Sequence, residues 1–246
     1  MGSRKEYYDE IYSQLHGDNR VTLNKIRRMM DFGGRKLKIL DIGCGPGTVS
    51  GPLIEMGHEV YGLDISDASI QEARAKGIKV RLCDVEEEEL PFPDEEFDLV
   101  MALDVLEHVF DPTGVLQKMK RVVKRHGALL ICFPNHFDLV NRIRILLGLG
   151  IVHWHHRNAK TWDYFHIRFP TLGEIREWIG ANGLSIHKLQ INSSVPGVLR
   201  PFVPKPLVWA CLRISGALFS SKFMILAGRE PAKREELIIV TDPAGF

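Results

Sequence analysis

The 246 residues are 45% hydrophobic and 26% charged, the balance of a soluble globular protein whose core needs no disulfides. Four cysteines, Cys44, Cys83, Cys132 and Cys211, lie far apart with no Cys-x-x-Cys pair, which argues against a zinc knuckle or disulfide scaffold and suits a reducing cytosol. Net charge is +1 but uneven: residues 1–135 hold 18 Lys/Arg against 23 Asp/Glu, residues 136–234 hold 14 against 5, and the last twelve add three acids. The basic second half could attract an acidic substrate, a phosphate or an anionic membrane surface, or be a solvated surface and nothing more. DNA is not an expected partner. The start MGSRKEYYDE lacks an apolar signal region, and no uncharged apolar run reaches the ~18–20 residues of a membrane span. A cytoplasmic location is the expectation.

In chain order, residues 1–34 read as two amphipathic helices, YYDEIYSQL and RVTLNKIRRMM, closed by Gly33-Gly34 as an N-terminal lid. LKILDIG is a continuous apolar strand, TVSGPLIEMG a short helix and HEVYGLD a strand. SDASIQEARAKG is a helix with Ser66 as N-cap and Gly77 as stop. IKVRLCD and FDLVMALD are strands, VLEHV a helical turn, PTGVLQKMKRVVKRHG a helix closing at Gly127, and ALLICFP a strand. HFDLVNRIRILLG is helical and leads into the irregular IVHWHHRNAKTWDYFHIRFPT. TLGEIREWIGANG is a helix capped at Thr171 and stopped at Gly183, and LSIHKLQI and KFMILAGR are two further strands.

Five strands separated by helices, too continuously apolar for a one-sided sheet, predict a parallel sheet covered on both faces with right-handed crossovers. The fold class is α/β, doubly wound and Rossmann-like. One domain is expected: lid 1–34, ligand-binding core 37–135, cap 136–170, C-terminal helix and last two strands 171–230, tail 231–246.

The stretch KILDIGCGPG decides the ligand. A dinucleotide fingerprint would put its third glycine at position 48, which is Thr48, and a P-loop would need a lysine that is absent. What remains is Gly43, Gly45 and Gly47 preceded by Asp41, a turn that lets a ligand approach the backbone closely and repels phosphate. Asp64 ends the second strand, where a carboxylate can hold both ribose hydroxyls, or simply favour the dipole of the next helix. Asp84 ends the third strand, where it could accept an adenine amine or be a solvated loop acid.

ILDIGCGPG, VYGLDIS and CDVEEEELPFPDEEFDLVMALDVLEHV resemble the class I S-adenosylmethionine (SAM)-dependent methyltransferases, over roughly residues 37–135. The resemblance implies that the glycine turn lies along the methionine part of SAM, that Asp64 holds the ribose, and that Asp84 sits at adenine with Ile65 and Val85 as walls. Asp41 would face the amino group or order the turn, and Leu103 would complete the cofactor contacts. It also implies a seven-stranded mixed sheet with the last strand antiparallel. CFPNHFDLVNRIRILLG and WDYFHIRFPTLGEIREWI, over residues 131–185, are similar to MetW-like members of the type 11 methyltransferases and to those found with glycan-building enzymes.

The protein must position the acceptor and remove its proton. His108 and His166 are the candidate catalytic residues. Asp104, Glu107, His108 and His166 resemble the acid-x-x-Glu-His plus later His that holds a divalent metal in small-RNA 3′-end methyltransferases, and the ubiquinone-pathway catechol O-methyltransferases share the Glu-His part. The alternative is that no metal is used and Glu107 and His108 cap a helix. His153, His155 and His156 lack the spacing of a zinc site and, with Trp154, Trp162, Tyr164 and Phe165, would line an acceptor pocket or pack the cap. Residues 195–222 are apolar with spaced basic residues, fit for a membrane interface near a lipid-linked substrate or for a helix packed on the sheet. The expected function is SAM-dependent methyl transfer to a small-molecule or glycan-type acceptor on oxygen. The rivals are a MetW-like accessory protein that binds a partner enzyme, and a nicotinamide-dependent oxidoreductase.

Overall fold

The computed structural model describes residues 20–30, 33–151, 166–193 and 204–240. The helix YYDEIYSQL, the histidine run 153–156, Trp162, Tyr164, Phe165 and residues 195–203 lie outside the described residues.

The elements in order are α1 (Arg20–Met29), β1 (Lys38–Ile42), α2 (Ser50–Glu55), β2 (Glu59–Asp64), α3 (Asp67–Ala75), β3 (Lys79–Leu82), β4 (Phe97–Leu103), a 3₁₀ turn (Leu106–His108), α4 (Pro112–Val122) and β5 (Val123–Pro134). They continue with α5 (Leu139–Leu146), α6 (Leu172–Ala181), β6 (Ser185–Ser193), α7 (Lys205–Ile214), α8 (Gly216–Phe219), β7 (Ser220–Gly228) and β8 (Glu236–Val240). The helix starts follow capping chemistry. Ser66 accepts from the Ser69 N–H, Asp138 from Asn141, and Thr171 and Glu174 form a reciprocal capping box. One boundary differs from the sequence expectation. The helix that should have reached Gly127 stops at Val122, because the β-branched Val123 pairs with Phe97 and opens β5.

The strands form one sheet in the order β3-β2-β1-β4-β5-β7-β6-β8. The five consecutive strands β1 to β5 run parallel, and β7 is antiparallel to both β5 and β6. The sheet therefore has eight strands rather than seven. ELIIV, assigned to the tail, pairs in parallel with Lys188–Asn192 and adds an edge strand beyond β6.

Both faces are buried, which is why the strands read as unbroken apolar runs. On one face Leu40, Val100, Leu129 and Ile225 pack with Val115 and Met119 of α4 and Ile175 and Ile179 of α6. On the other, Ile39, Leu99, Leu130 and Met224 pack with Ile26 and Met29 of α1, Leu53 of α2 and Ile70 of α3. A fully buried side chain such as Leu40 or Leu99 contributes about 1.5–3 kcal/mol by its removal from water. The carboxyl ends of the parallel strands, the end of β6 and the start of β7 meet at one edge of the sheet, where α/β proteins bind their ligands.

Candidate active site

The turn after β1 needs its alternate glycines. Gly43, Gly45 and Gly47 have φ of 65°, 52° and 73°, left-handed values that residues with a Cβ adopt at a cost. A Cβ on Gly43 would stand 2.6 Å from Val105 Cγ2, and one on Gly47 would stand 2.1 Å from Ile78 Cδ1. The N–H groups of Gly43 and Cys44 both donate to the Leu63 carbonyl, tying the turn to β2. Asp64 completes the tie: its carboxylate accepts from Gly45 N–H at 2.7 Å and from Ser66 N–H at 2.9 Å.

Asp41 lies beneath this turn, 4% exposed, and accepts a hydrogen bond from Ser50 Oγ at 2.6 Å. Burial pushes its pKa up to about 7; the Ser50 bond works downward and the Asp64 charge upward. Of its two expected roles, its contacts are those of a residue that orders the turn.

A pocket opens at these strand ends. Gly43, Asp64, Ile65, Asp84 and Val85 line it together with Asp104, Val105 and His108. Asp41, Gly45, Gly47 and Leu103 are not among its walls; the first three shape the turn from behind, and Leu103 packs against the core. Asp84 is bound into its own loop, accepting from the Glu86 N–H at 3.1 Å and donating its N–H to Glu88 at 2.9 Å. A glycine cradle, two acids on adjacent strand ends and aliphatic walls fit a nucleoside with a ribose diol and no phosphate.

The second part of the site begins at Asp104, which ends β4 with a φ of 57°. Its carboxylate lies 2.5 Å from Nζ of Lys222 on β7. The 3₁₀ turn then buries Glu107 completely. The Glu107 carbonyl accepts from the N–H groups of Ile167 and Arg168, and the Arg168 guanidinium donates to the Phe110 carbonyl. These bonds dock the end of the cap and bring His166 to the site. His166 Nε2 lies 3.9 Å from Glu107 Oε1, and its Nδ1 lies 3.0 Å from Nε2 of His136. The His108 and His166 rings stand edge to face at 4.6 Å.

Neither oxygen of Glu107 has a hydrogen-bond partner among the described residues. Burial raises its pKa well above the carboxylate range, the Asp104 charge adds to this, and its backbone hydrogen bond and Lys222 oppose it. Glu107, His108 and His166 bring one donor atom each to within 4.8 Å of one another. A bare carboxylate with two imidazoles is a donor set that fits a divalent cation. Asp104, the fourth ligand implied by the resemblance, is outside this group and holds Lys222 instead. Two residues were not anticipated. His136 falls just past the end of β5, where a strand-end rule would have flagged it. Lys222 is one lysine in an apolar strand and gave no signal.

A profile of the family described as a methyltransferase domain matches residues 40–131. The ubiquinone biosynthesis O-methyltransferase of Azorhizobium caulinodans is 31% identical over 189 residues, 71% of this chain and 73% of that protein. The mitochondrial human protein of that name is 33% identical over 203 residues, 74% of this chain and 53% of its own length. In fold, the chain resembles the magnesium protoporphyrin IX methyltransferase of Synechocystis, solved with bound S-adenosylhomocysteine (SAH), at a TM-score of 0.60 and 22% identity over 92% of this chain and 94% of that one. With the glycine turn, the strand-end acids and these relatives in agreement, the chain belongs to the class I SAM-dependent methyltransferases and uses SAM as its methyl donor.

Proposed function

We propose that the chain methylates a hydroxyl of a small aromatic acceptor, a vicinal diol or catechol, presented to the Glu107–His108–His166 cluster. The observation that carries this reading is the bare, fully buried Glu107 carboxyl between two imidazoles, beside the cofactor pocket. The names of the curated relatives support a small-molecule hydroxyl over a glycan.

SAM supplies an electrophilic methyl carbon, so the chain's part is alignment and proton removal. Asp64 and Asp84 hold the nucleoside, and the Gly43 backbone admits the methionine part. His108 stands in the cofactor pocket and also faces His166, so it spans donor and acceptor. Glu107, His108 and His166 would hold a divalent cation, which supplies a lowered pKa to a coordinated hydroxyl. His136 orients His166 through the bond at Nδ1.

Leu146, Leu147 and Leu149 at the end of α5 are 86%, 67% and 58% exposed, beside Arg142 and Arg144. This aliphatic and basic knob favours an acceptor with an apolar tail, taken from a bilayer surface by a peripheral enzyme. Among the described residues no helix is long and apolar enough to cross a membrane.

The test is transfer of label from SAM to catechols, simple phenols, sugars and lipid-linked glycans, with and without chelator. The expectation is label on a catechol oxygen, suppressed by chelator. Label on a sugar, or SAM binding with no turnover on any diol, would sink the reading, the latter in favour of an accessory protein that acts through a partner enzyme.

A further inference from the structure

Lys222 stands at the start of β7, opposite Pro134 of β5 and Asn192 of β6, at the edge of the sheet where the site lies. Its side chain is 19% exposed. An ammonium has three protons to donate. Among the described residues Lys222 Nζ makes one hydrogen bond, to Asp104 Oδ2. Two N–H groups of a mostly buried cation are thus left for something else, and leaving them unfilled is costly. Asp104 is itself a wall of the pocket, so the ammonium that it holds sits beside that pocket.

The charges around it make an oxyanion's problem plain. Lys222 is faced by Asp104 past β4, Glu107 on the 3₁₀ turn and Cys132 on β5. A hydroxyl that ionises there meets carboxylates on two sides. Burial pulls the lysine's own pKa down, and the charges of Asp104, Cys132 and Glu107, with the Asp104 hydrogen bond, together more than restore it, so the ammonium stays protonated.

We propose that Lys222 is an oxyanion-binding residue of the acceptor site: the N–H groups that it does not give to Asp104 hold the ionised acceptor oxygen. The ligand class is the monoanion of an acidic phenol or catechol. The inference rests on the proposed acceptor class. In the ionisation step the hydroxyl proton leaves for bulk water and Lys222 keeps its own three. Neutral SAH, with no methyl to give, lets that equilibrium be watched without turnover.

The probe is 4-nitrocatechol, whose visible absorbance reports its ionisation. It is titrated against the SAH-loaded protein at fixed Mg²⁺, and again in chelator, so that a metal contribution separates from that of the lysine. Wild type is expected to lower the probe's first pKa by about one unit or more. Lys222→Met should abolish that shift, and Lys222→Arg should keep most of it. Asp104→Asn is the sharper variant: asparagine tolerates left-handed φ, and the negative charge beside the oxyanion is gone. The proposal requires Asp104→Asn to hold or deepen the shift while Lys222→Met loses it. A purely structural ion pair would instead make both variants worse together, and that result overturns the inference. So does a shift that Lys222→Met leaves unchanged. Failure of wild type to bind the probe at all overturns the acceptor reading along with it. Thermal melts of each variant separate loss of the shift from loss of the fold.

Discussion

The two halves of the site are finished to different degrees. On the cofactor side the carboxylates are satisfied within the protein: Asp64 by the Gly45 and Ser66 N–H groups, Asp41 by Ser50 and Asp84 by the Glu86 N–H. On the proposed acceptor side, among the described residues, neither oxygen of the buried Glu107 has a hydrogen-bond partner and Lys222 uses one proton of three. The first half is a preformed mould, in which the glycine turn and strand β2 hold each other before any ligand arrives. The second half stores unmet electrostatic demand that a ligand must answer. Such groups lower stability in the empty protein and are kept where function requires them.

Glu107→Gln tests that contrast most severely. We expect turnover to fall about 10²- to 10⁴-fold with SAM affinity nearly unchanged, measured by steady-state kinetics and calorimetry. The melting temperature should rise at neutral and alkaline pH. The native pKa of this acid is raised, so the folded state is penalised as pH climbs from the unfolded value through the native one, and an amide removes the penalty. A variant that melts lower and binds SAM poorly would mean that Glu107 belongs to the preformed half.

Asp64→Ala should do the opposite. Losing a carboxylate that anchors Gly45 and Ser66 and, on the proposed reading, holds the ribose is expected to weaken SAM about 10- to 150-fold, from one charge-assisted hydrogen bond at about 1.5–3 kcal/mol. Turnover at saturating SAM should fall much less. A fall in turnover alone, with SAM affinity intact, would erase the distinction between the halves.

Asp41 is read through stability alone and is the finest probe. Its pKa rises from 3.8 to about 7, so between those values the folded state keeps a proton that the unfolded chain has lost. Stability therefore falls as pH rises through that window, by ~4 kcal/mol at 1.36 kcal/mol per unit. Asp41→Asn should flatten this slope in chemical unfolding followed at pH 4.5 and 7.5. An unchanged slope would show that Asp41 is ionised in the empty protein.

The preformed half was also the half legible in the chain. Its strands are short apolar runs with glycine stops, and its acids fall where strands end, so Asp64, Asp84 and the glycine turn could be read from local spacing. The acceptor half depends on contacts across large separations. Lys222 reaches Asp104 over 118 positions, and His136 meets His166 over 30, with no periodicity to link either pair. That Asp104 pairs with Lys222 on β7, rather than standing with Glu107, His108 and His166, could not be read from the chain for the same reason. The eighth strand was missed similarly: ELIIV is a strand only because β6 offers it an edge.

That edge strand covers a border that would otherwise be open. Without β8, the nine residues of β6 would present unpaired N–H and carbonyl groups to solvent, a template on which another chain could add its own strand. The replacement edge is five residues long and fenced at its start by charge, with Glu235 paired to Arg176 and Glu236 to Lys188. A short, acid-flanked border gives a foreign strand little to grip. The last turns of the chain thus act as a selvedge, stopping the sheet from being woven into its neighbour, and a deletion ending at Gly228 would be expected to unravel into fibres before it lost its grip on SAM.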